Sequence, residues 1–393
     1  MRVAVYSGNI PSTTFIENLI KGLDKYGFEI LLFGKLKGTV NYGKNVKVYP
    51  TPVRQLPLIF FIIKNSFILM MKDPGKFFKA IKAINRKNKS TGAFLKNMGM
   101  ILPILIQKHD IFHIQWAKTV LQNPELFELL DSKIILSLRG AHINYSPLTD
   151  KKLSEAYRKY FPVIDGYHAV SEAIKKETVK YGAAGDRIKV IYSSVNKDLL
   201  QLNSEKEPAA GSFEIISIGR FHWKKGYHYA LDTMKILKDR KIKFRYTIIA
   251  QGKVPEEILF LINEYELNGE VNIIPGMKFD ELIKRLIRSD MLILPSVEEG
   301  IANVVLESMA AGVPVVTTDC GGMNEAVEDN INGYIVRIRE PELMADKISE
   351  YIRSEGKSVP ELIKNAKAVI EEKFSPERQI KDFADLYSTT LNS

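Results

Sequence analysis

Two glutamates, Glu299 and Glu307, lie eight positions apart in a stretch whose pattern predicts a strand, a glycine turn and a helix. The apolar run 291–294 is typical of a strand buried on both faces of a parallel sheet, and Glu299 and Gly300 follow its end. Open α/β sheets bind ligands outside the carboxyl ends of their strands. Because a carboxylate accepts hydrogen bonds from two neighbouring hydroxyls, the pair suits a sugar or a ribose. The alternative is a solvated pair in which Glu299 is a first-turn helix acid.

A second group of charged residues, Arg220 and Lys225, flanks the predicted turn 219–226 that follows another strand. A guanidinium can hold phosphate oxygens with two hydrogen bonds, and an ammonium adds a compact charge near a helix amino end that itself favours anions. Arg and Lys beside a turn are common on protein surfaces. This turn, however, lies at a predicted carboxyl end of the sheet, so the sequence predicts a phosphate contact here.

Several common chemistries have no motif in this chain. There is no Asp-x-Asp pair, no Cys/His cluster with metal spacing, no Gly-x-Ser-x-Gly and no phosphate-loop Gly-Lys-Ser/Thr string. We therefore expect no metal and no cofactor, so cationic side chains and a helix end would have to stabilise a leaving diphosphate. The single cysteine, Cys320, excludes an internal disulfide and favours a reducing compartment.

The strings GRFHWKKG at 219–226 and EGIANVVLESMAAGVPVV at 299–316, followed by a glycine pair and Glu325, resemble the retaining glycosyltransferases of family 4, whose fold is called GT-B. The resemblance covers essentially the whole second domain. It implies that Arg220 and Lys225 hold the diphosphate of a nucleoside-diphosphate sugar, that Glu299 contacts the donor sugar, and that Glu307 contacts the ribose. These roles agree with the hydroxyl and phosphate chemistry described above.

The same resemblance implies a cradle for the donor formed by the residues of the turn and the helix start, namely Gly300, Ile301, Ala302 and Asn303. It also implies a front-face reaction, in which the leaving diphosphate helps to deprotonate the acceptor hydroxyl. On that reading Arg220, Lys225 and Glu299 carry the catalysis, and the protein supplies no nucleophile.

The first domain matches the family more loosely. Where many members show Thr-x-His-Gly-x-Asp, residues 137–142 read Ser-Leu-Arg-Gly-Ala-His, so Arg139 replaces the family histidine. We interpret Arg139 as a residue for a phosphate or an acidic substrate, and His142 as either an acceptor-side or a structural residue. In the loop before the first helix, Ser12 and Thr13 are equally well explained as helix caps and as substrate contacts.

Strands alternate with helices through both halves of the chain, which predicts two doubly wound, Rossmann-like parallel sheets facing across a cleft. A polar linker at 203–212 suggests an acceptor-side domain at 1–203 and a donor domain at 204–375. We expect the last helix, 376–393, to pack back on the first domain.

The net charge of +10 is concentrated between residues 54 and 108, where eleven Lys or Arg face the single acid Asp73. Lys76, Lys79, Lys82 and Arg86 recur at helical spacing, which favours a basic helix lying on an anionic membrane. The alternative is an ordinary surface helix with solvated lysines. The apolar run 58–71 would reach only about 21 Å as a helix, short of the roughly 30 Å hydrocarbon core.

Together these patterns predict an enzyme that moves a sugar from a nucleoside-diphosphate sugar to a saccharide or lipid-linked acceptor of a cell-envelope polysaccharide or glycolipid. The first residues lack the features of a secretory leader. We therefore expect a cytoplasmic protein, peripheral on the inner face of the cell membrane, without nucleic-acid partners. Two other functions stay open: a nucleotide-sugar epimerase of the same fold, and a non-catalytic nucleotide-sugar-binding protein associated with membranes.

Overall fold

The computed structural model describes residues 1–87, 90–202, 211–354 and 359–393. The chain divides into two units, one formed by Met1–Ile191 with Gln379–Ser393 and the other by Tyr192–Arg378. Most of the linker predicted at 203–212 lies outside the described residues. The second unit begins at Tyr192, before the predicted boundary, and the last helix belongs to the first unit from Gln379 onward.

The first unit contains a seven-stranded sheet whose neighbouring strands are all parallel, in the order β3-β2-β1-β4-β5-β6-β7. Its central strands are mostly apolar and buried, because helices cover both faces of such a sheet. The strands are β1 (Arg2–Ile10), β2 (Glu29–Leu36), β3 (Val46–Thr51), β4 (Ile111–Ile114), β5 (Lys133–Leu138), β6 (Gly166–Ala169) and β7 (Ile188–Val190).

Three consecutive helices between β3 and β4 make up most of the basic segment noted in the sequence, and shorter helices follow between the later strands. The helices of this unit are α1 (Thr14–Lys25), α2 (Gln55–Lys72), α3 (Pro74–Lys87), α4 (Thr91–Ile106), α5 (Thr119–Gln122), α6 (Leu126–Leu129), α7 (Gly140–Asn144), α8 (Ser146–Thr149), α9 (Lys151–Tyr160) and α10 (Glu172–Val179).

The second unit contains a six-stranded parallel sheet in the order β10-β9-β8-β11-β12-β13, which confirms the prediction of two parallel sheets. Its strands are β8 (Phe213–Arg220), β9 (Phe244–Gln251), β10 (Val271–Pro275), β11 (Met291–Leu294), β12 (Val315–Thr318) and β13 (Tyr334–Val336). Its helices are α11 (Tyr227–Asp239), α12 (Glu256–Glu264), α13 (Phe279–Leu286), α14 (Asn303–Ala310), α15 (Pro341–Arg353) and α16 (Val359–Lys373), and α17 (Pro376–Asn392) leads back into the first unit.

The order of strands reverses between β8 and β11. The chain runs outward from β8 through β9 and β10, then returns to place β11 on the other side of β8, with Ile216 beside Leu292. Such a reversal leaves a crevice outside the carboxyl ends of the two strands, which is where open sheets bind ligands. The loops that follow β8 and β11 carry Arg220 and Glu299, so the topology brings the two predicted charged groups to one edge.

In the first unit, α17 is attached to the sheet through a buried row of hydrogen bonds. The Tyr387 hydroxyl lies 2.8 Å from Nδ1 of His113, whose Nε2 lies 2.9 Å from Oγ of Ser137. Ser137 Oγ in turn lies 2.9 Å from Nδ1 of His168, and His168 Nε2 lies 2.9 Å from the carbonyl of Ile191. Since a carbonyl only accepts, His168 Nε2 carries a proton, Nδ1 accepts, and both rings can remain neutral.

This row predicts a loss of stability in mild acid. Burial lowers the pKa of His168 to about 3 and that of His113 well below its usual range. An unfolded histidine titrates near about 6.5, so below that pH the unfolded chain binds more protons and stability falls as pH drops towards 3. We expect the free energy of unfolding to fall by about 2 kcal/mol for His168 alone between pH 7 and pH 5, measured by urea denaturation. Imidazole NMR signals of the two histidines that titrated near pH 6.5 in the folded protein would contradict this account.

Candidate functional site

The loop 295–302 after β11 is held in place by two close backbone contacts. Gly226 has φ +64, and a Cβ there would lie 2.1 Å from the carbonyl oxygen of Pro295. Gly321 has φ +57, and a Cβ there would lie 1.8 Å from the carbonyl oxygen of Glu299. Only glycine combines a left-handed backbone with such an approach, so these two positions fix the loop between its neighbours.

Two backbone hydrogen bonds secure the same loop. The amide of Val297 donates to the carbonyl of Lys224 at 2.8 Å, and the amide of Gly322 donates to the carbonyl of Gly300 at 2.7 Å. The turns after β8, β11 and β12 are therefore joined through their backbones. This rigid edge fixes the Glu299 side chain beside the two lysines of the β8 turn.

Glu299 is only 7% exposed, yet its carboxylate is charged in this environment. Lys225 Nζ lies 2.6 Å from Oε1, Lys224 Nζ lies 3.4 Å from Oε2, and the Ser296 hydroxyl donates to Oε1 at 3.3 Å. Burial raises the pKa of Glu299, but the charges and hydrogen bonds of Lys225 and Lys224 outweigh it and leave the pKa below its usual value. The site thus contains a buried, ionised carboxylate compensated by two cations.

Glu307 is one of the eight residues of α14, and its surroundings are different. Its side chain makes no hydrogen bond or ion pair with the residues that the structure describes. Burial alone raises its pKa to about 7. A half-buried carboxyl without described partners is more costly to ionise than one in water, so bound hydroxyl donors would relieve that cost.

The two predicted phosphate-binding residues of the turn after β8 have different surroundings. Arg220 is exposed at the end of β8 and makes no ion pair within the described part of the chain, so its guanidinium points to solvent at the crevice edge. Lys225 ends the short 3-10 helix Trp223–Lys225 and pairs with Glu299. The structure therefore brings Lys225 and Glu299 into direct contact, whereas the prediction from the sequence assigned Lys225 to the diphosphate and Glu299 to the donor sugar.

Two members of this cluster were missed from the sequence, Lys224 and Ser296. The signals available were the lysine doublet at 224–225 and a serine three positions before Glu299. Neither spacing is specific without knowledge that the turns after β8 and β11 touch.

The predicted cradle of Gly300, Ile301, Ala302 and Asn303 lies at the amino end of α14. Ala302 is the residue before the helix, and no side chain caps it. The amide of Ala302 donates to the sulfur of Met323 at 3.3 Å, a weak acceptor that a better one would readily replace. The position of the segment fits the prediction, and its contact with a ligand stays a prediction.

Arg139 in the first unit makes hydrogen bonds to Gln115 and contacts two aromatic rings. Its guanidinium donates to the carbonyl of Gln115 at 2.6 Å and to the side-chain oxygen of Gln115 at 3.1 Å. It also lies over the rings of Phe15, at 4.4 Å, and Trp116, at 5.6 Å. Burial lowers the pKa of Arg139 to about 9. These contacts give Arg139 a packing role inside the first unit, and its predicted role toward a substrate is untested.

The other first-unit candidates lie near the same edge. The ring of His142 is tilted by 57° against that of Trp116, with 5.6 Å between the centroids, and burial lowers the pKa of His142 to about 4, so it is neutral near pH 7. Thr13 occupies the position before α1, but its side chain makes no capping hydrogen bond. The amide of Ser12 donates instead to the carboxylate of Glu17 at 2.7 Å. Capping by the Ser12 or Thr13 hydroxyl is thus not observed, and a role of either in substrate contact stays a prediction.

No group of three or more His, Cys, Asp or Glu that could hold a metal ion occurs within the described ranges. The charged groups of the site are the two lysines, Arg220, Glu299 and Glu307, together with Glu298, whose Oε2 lies 3.6 Å from Lys224 Nζ.

Comparison with known proteins agrees with this geometry. The family model for glycosyl transferases group 1 matches residues 201–369. A protein of Escherichia coli (strain K12) named as a colanic acid biosynthesis glycosyltransferase, WcaL, is 25% identical over 98% of this chain and 99% of its own length. A glycosyltransferase structure from Rickettsia africae ESF-5 superposes with a TM-score of 0.72 at 16% identity, covering 100% of this chain and 99% of that one.

Anabaena HepE, solved in complex with UDP-glucose, gives a TM-score of 0.69 at 16% identity, covering 99% of this chain and 100% of that one. The two parallel sheets and these structural neighbours define a protein with the GT-B fold. The segment that matches the group 1 glycosyltransferase model, 201–369, contains both strings at 219–226 and 299–316 that carried the resemblance in the sequence.

The raised pKa of Glu307 predicts that replacing it with neutral glutamine stabilises the fold more at high pH than at low pH. Between about pH 4.5 and pH 7 the folded chain holds a proton that the unfolded chain has lost, so Glu307 lowers stability as pH rises through 7. We expect Glu307→Gln to increase the free energy of unfolding by about 2 kcal/mol more at pH 8 than at pH 5, measured in urea. Glu281→Gln on the exposed side of α13 is the matched control. An equal effect of Glu307→Gln at both pH values would show that Glu307 is not buried as a neutral acid.

Proposed function

We propose that the protein transfers a sugar from a nucleoside-diphosphate sugar to a saccharide acceptor in polysaccharide biosynthesis. The observation that carries the proposal is the buried ion pair of Lys225 and Glu299 at the point where the strand order reverses, with Arg220 exposed beside it. Buried charge at such a crevice provides both a cation for phosphate and an acceptor for hydroxyls. The names of WcaL, in colanic acid biosynthesis, and of HepE with UDP-glucose support the choice of reaction and donor.

In this proposal the donor rearranges the charges of the site. A diphosphate near the β8 turn takes hydrogen bonds from Arg220 and Lys225, which weakens the hold of Lys225 on Glu299. Glu299 keeps Lys224 as its counter-ion and accepts hydrogen bonds from the donor sugar. Glu307, without a partner among the described residues, receives the ribose hydroxyls.

We further propose that the reaction retains the anomeric configuration and needs no metal ion. Glu299 is ionised and paired, which suits hydroxyl binding rather than proton donation. The leaving diphosphate, stabilised by the cations of the β8 turn, takes the proton of the acceptor hydroxyl on the same face of the sugar. No side chain then forms a covalent intermediate.

The acceptor in this proposal binds the first unit and is a saccharide carried on a lipid at an anionic membrane surface. The basic segment 54–108 supports that placement. A nucleotide-sugar epimerase of the same fold is the second candidate, favoured only by the loss of the family histidine at position 139. Incubation with the donor alone separates the two, because an epimerase converts its donor without an acceptor.

Removal of the charged groups should abolish transfer without unfolding the chain. We expect Arg220→Ala and Glu299→Ala each to lower kcat/KM at least about 100-fold, because each removes a charge-assisted contact with the donor. The assay is release of nucleoside diphosphate with a panel of donors and lipid-linked acceptors. Arg245→Ala, an exposed arginine of β9, is the matched control and should transfer normally. Near-normal turnover of either site variant, with an unchanged circular dichroism spectrum, would refute the assignment.

The stereochemistry of the product provides a separate test. We expect proton NMR of the first product to show the anomeric configuration of the donor, and the rate to be unchanged after dialysis against EDTA. An inverted product would exclude the same-face reaction. A rate lost with EDTA and restored by a divalent cation would exclude metal independence.

A further inference from the structure

One face of α2 presents large apolar side chains to solvent along its whole length. Counted at 100° per residue, these positions fall within a stripe about 120° wide. The residues of this stripe, with their exposed fractions, are Leu56 71%, Ile59 39%, Phe60 72%, Ile63 59%, Phe67 61%, Met70 39% and Met71 70%. Single exposed apolar residues are ordinary, but a contiguous stripe of seven marks a contact surface.

The opposite face of α2 anchors the helix to the first unit. Leu58, Ile62 and Leu69 are at most 8% exposed, and Asn65 donates to the carbonyl of Phe61 at 2.7 Å. A Cβ at Gly99 of α4 would lie 2.5 Å from Leu58, so the two helices pack closely. By length and composition α2 is the one helix among the described residues that could cross a membrane. Its packed face shows that it lies on the unit instead, with only the stripe available for contact.

The charged residues of α2 itself are all positive. Lys64 lies at the edge of the stripe, about 20° beyond Met71, while Arg54 precedes α2 and Lys72 ends it, and all three are exposed. Asp73 is the single acid between residues 54 and 108. Apolar residues bordered by cations are the pattern of a helix that lies in the interface of an anionic bilayer.

The lysine row of α3, which the sequence favoured as the membrane contact, is partly neutralised. Lys76 pairs with Asp131 at 2.5 Å, and Arg86 pairs with Glu128 at 2.7 Å. Lys87 lies 3.7 Å from Glu125. These acids come from the segment after α5, so part of the positive charge of α3 is used within the first unit.

We infer that the stripe of α2 inserts into the interfacial layer of an anionic membrane, with the helix axis parallel to the bilayer plane. The aromatic and aliphatic tips lie among the acyl chains, while Lys64 at the edge of the stripe contacts lipid phosphates. A second copy of the chain is a poorer occupant, because a symmetric contact centred on the helix would bring the two Lys64 side chains towards one another. The inference rests on the membrane contact in the proposed function and names the surface that makes it. It does not depend on the transfer chemistry.

The test is sedimentation of the full chain with vesicles of phosphatidylglycerol and phosphatidylcholine. We expect F60S/I63S/F67S to lower the partition coefficient at least about tenfold, because it removes most of the apolar area of the stripe. The matched control L148S/V163S removes two other exposed apolar side chains of the first unit, 76% and 64% exposed, and should bind as the wild type does. Wild-type binding should fall but persist in about 0.5 M salt, because apolar insertion is not screened.

The charge-reversal variant K76E/K79E/K82E distinguishes membrane contact through α3 from membrane contact through α2. We expect it to bind more weakly than the wild type but more tightly than F60S/I63S/F67S. If charge reversal abolishes binding and the serine variant binds normally, the lysine row of α3 is the contact and the inference is wrong. Light scattering that shows a wild-type dimer and a monomeric serine variant would assign the stripe to a second copy, and would also overturn it.

A fluorophore reports insertion directly. Cys320 is buried, so a Phe67→Cys variant can be labelled with an environment-sensitive dye, with Glu155→Cys on α9 as the exposed control. The Phe67 label should shift to shorter wavelength with anionic vesicles, and the Glu155 label should not. In vesicle-free solution F60S/I63S/F67S should bind UDP-glucose in a thermal-shift assay as the wild type does. Loss of vesicle binding with donor binding kept therefore tests this inference apart from the proposed transfer.

Discussion

The buried charge of Glu299 is the constraint on which the carboxyl edge of the second sheet depends. A carboxylate taken out of water needs compensation, and here Lys225 and Lys224 provide it from the turn after β8. That pairing requires the turns to touch, which in turn requires glycine at Gly226 and Gly321. In the proposed function a diphosphate would draw Lys225 away, while Lys224 stays beside Glu299. One of the contacts that a ligand would exchange, that of Lys225 with Glu299, therefore also stabilises this edge of the sheet.

Glu299 and Glu307 show how different surroundings shift the pKa of the same type of side chain in opposite directions. Lysines keep the pKa of Glu299 low in spite of burial, whereas burial without a partner raises the pKa of Glu307 to about 7. A pair separated in this way often supplies the base and the acid of a reaction. Here the absence of any described partner at Glu307 favours another reading. Its carboxyl is costly to ionise until hydroxyl donors arrive, so ligand binding and ionisation would occur together.

The alternation of strands and helices was sufficient to predict two parallel sheets, and the apolar run 291–294 placed Glu299 in the loop after β11. The contacts of Glu299 with the two lysines could not be predicted, because these lysines are far from it in the sequence. Lys224 lies seventy-five positions before Glu299, and only the reversal of strand order brings them together. The charge count over 54–108 pointed to α3, because it could not show that acids after α5 pair with Lys76 and Arg86. The apolar run of α2 likewise gave no sign of which side chains face solvent, since both faces of the helix are apolar.

The replacement of the family histidine by Arg139 is compensated within the first unit. Gln115 accepts the guanidinium of Arg139 through its side-chain oxygen and presents its amide nitrogen to His113 at 3.1 Å. Arg139 thereby sets the orientation of Gln115, and Gln115 then donates to Nδ1 of His113, which leaves Nε2 as the protonated nitrogen. That choice agrees with the direction of the hydrogen bonds from Tyr387 through Ser137 to His168. The half-buried Arg139 is thus tied, through Gln115, to the same buried row that attaches the last helix to the sheet.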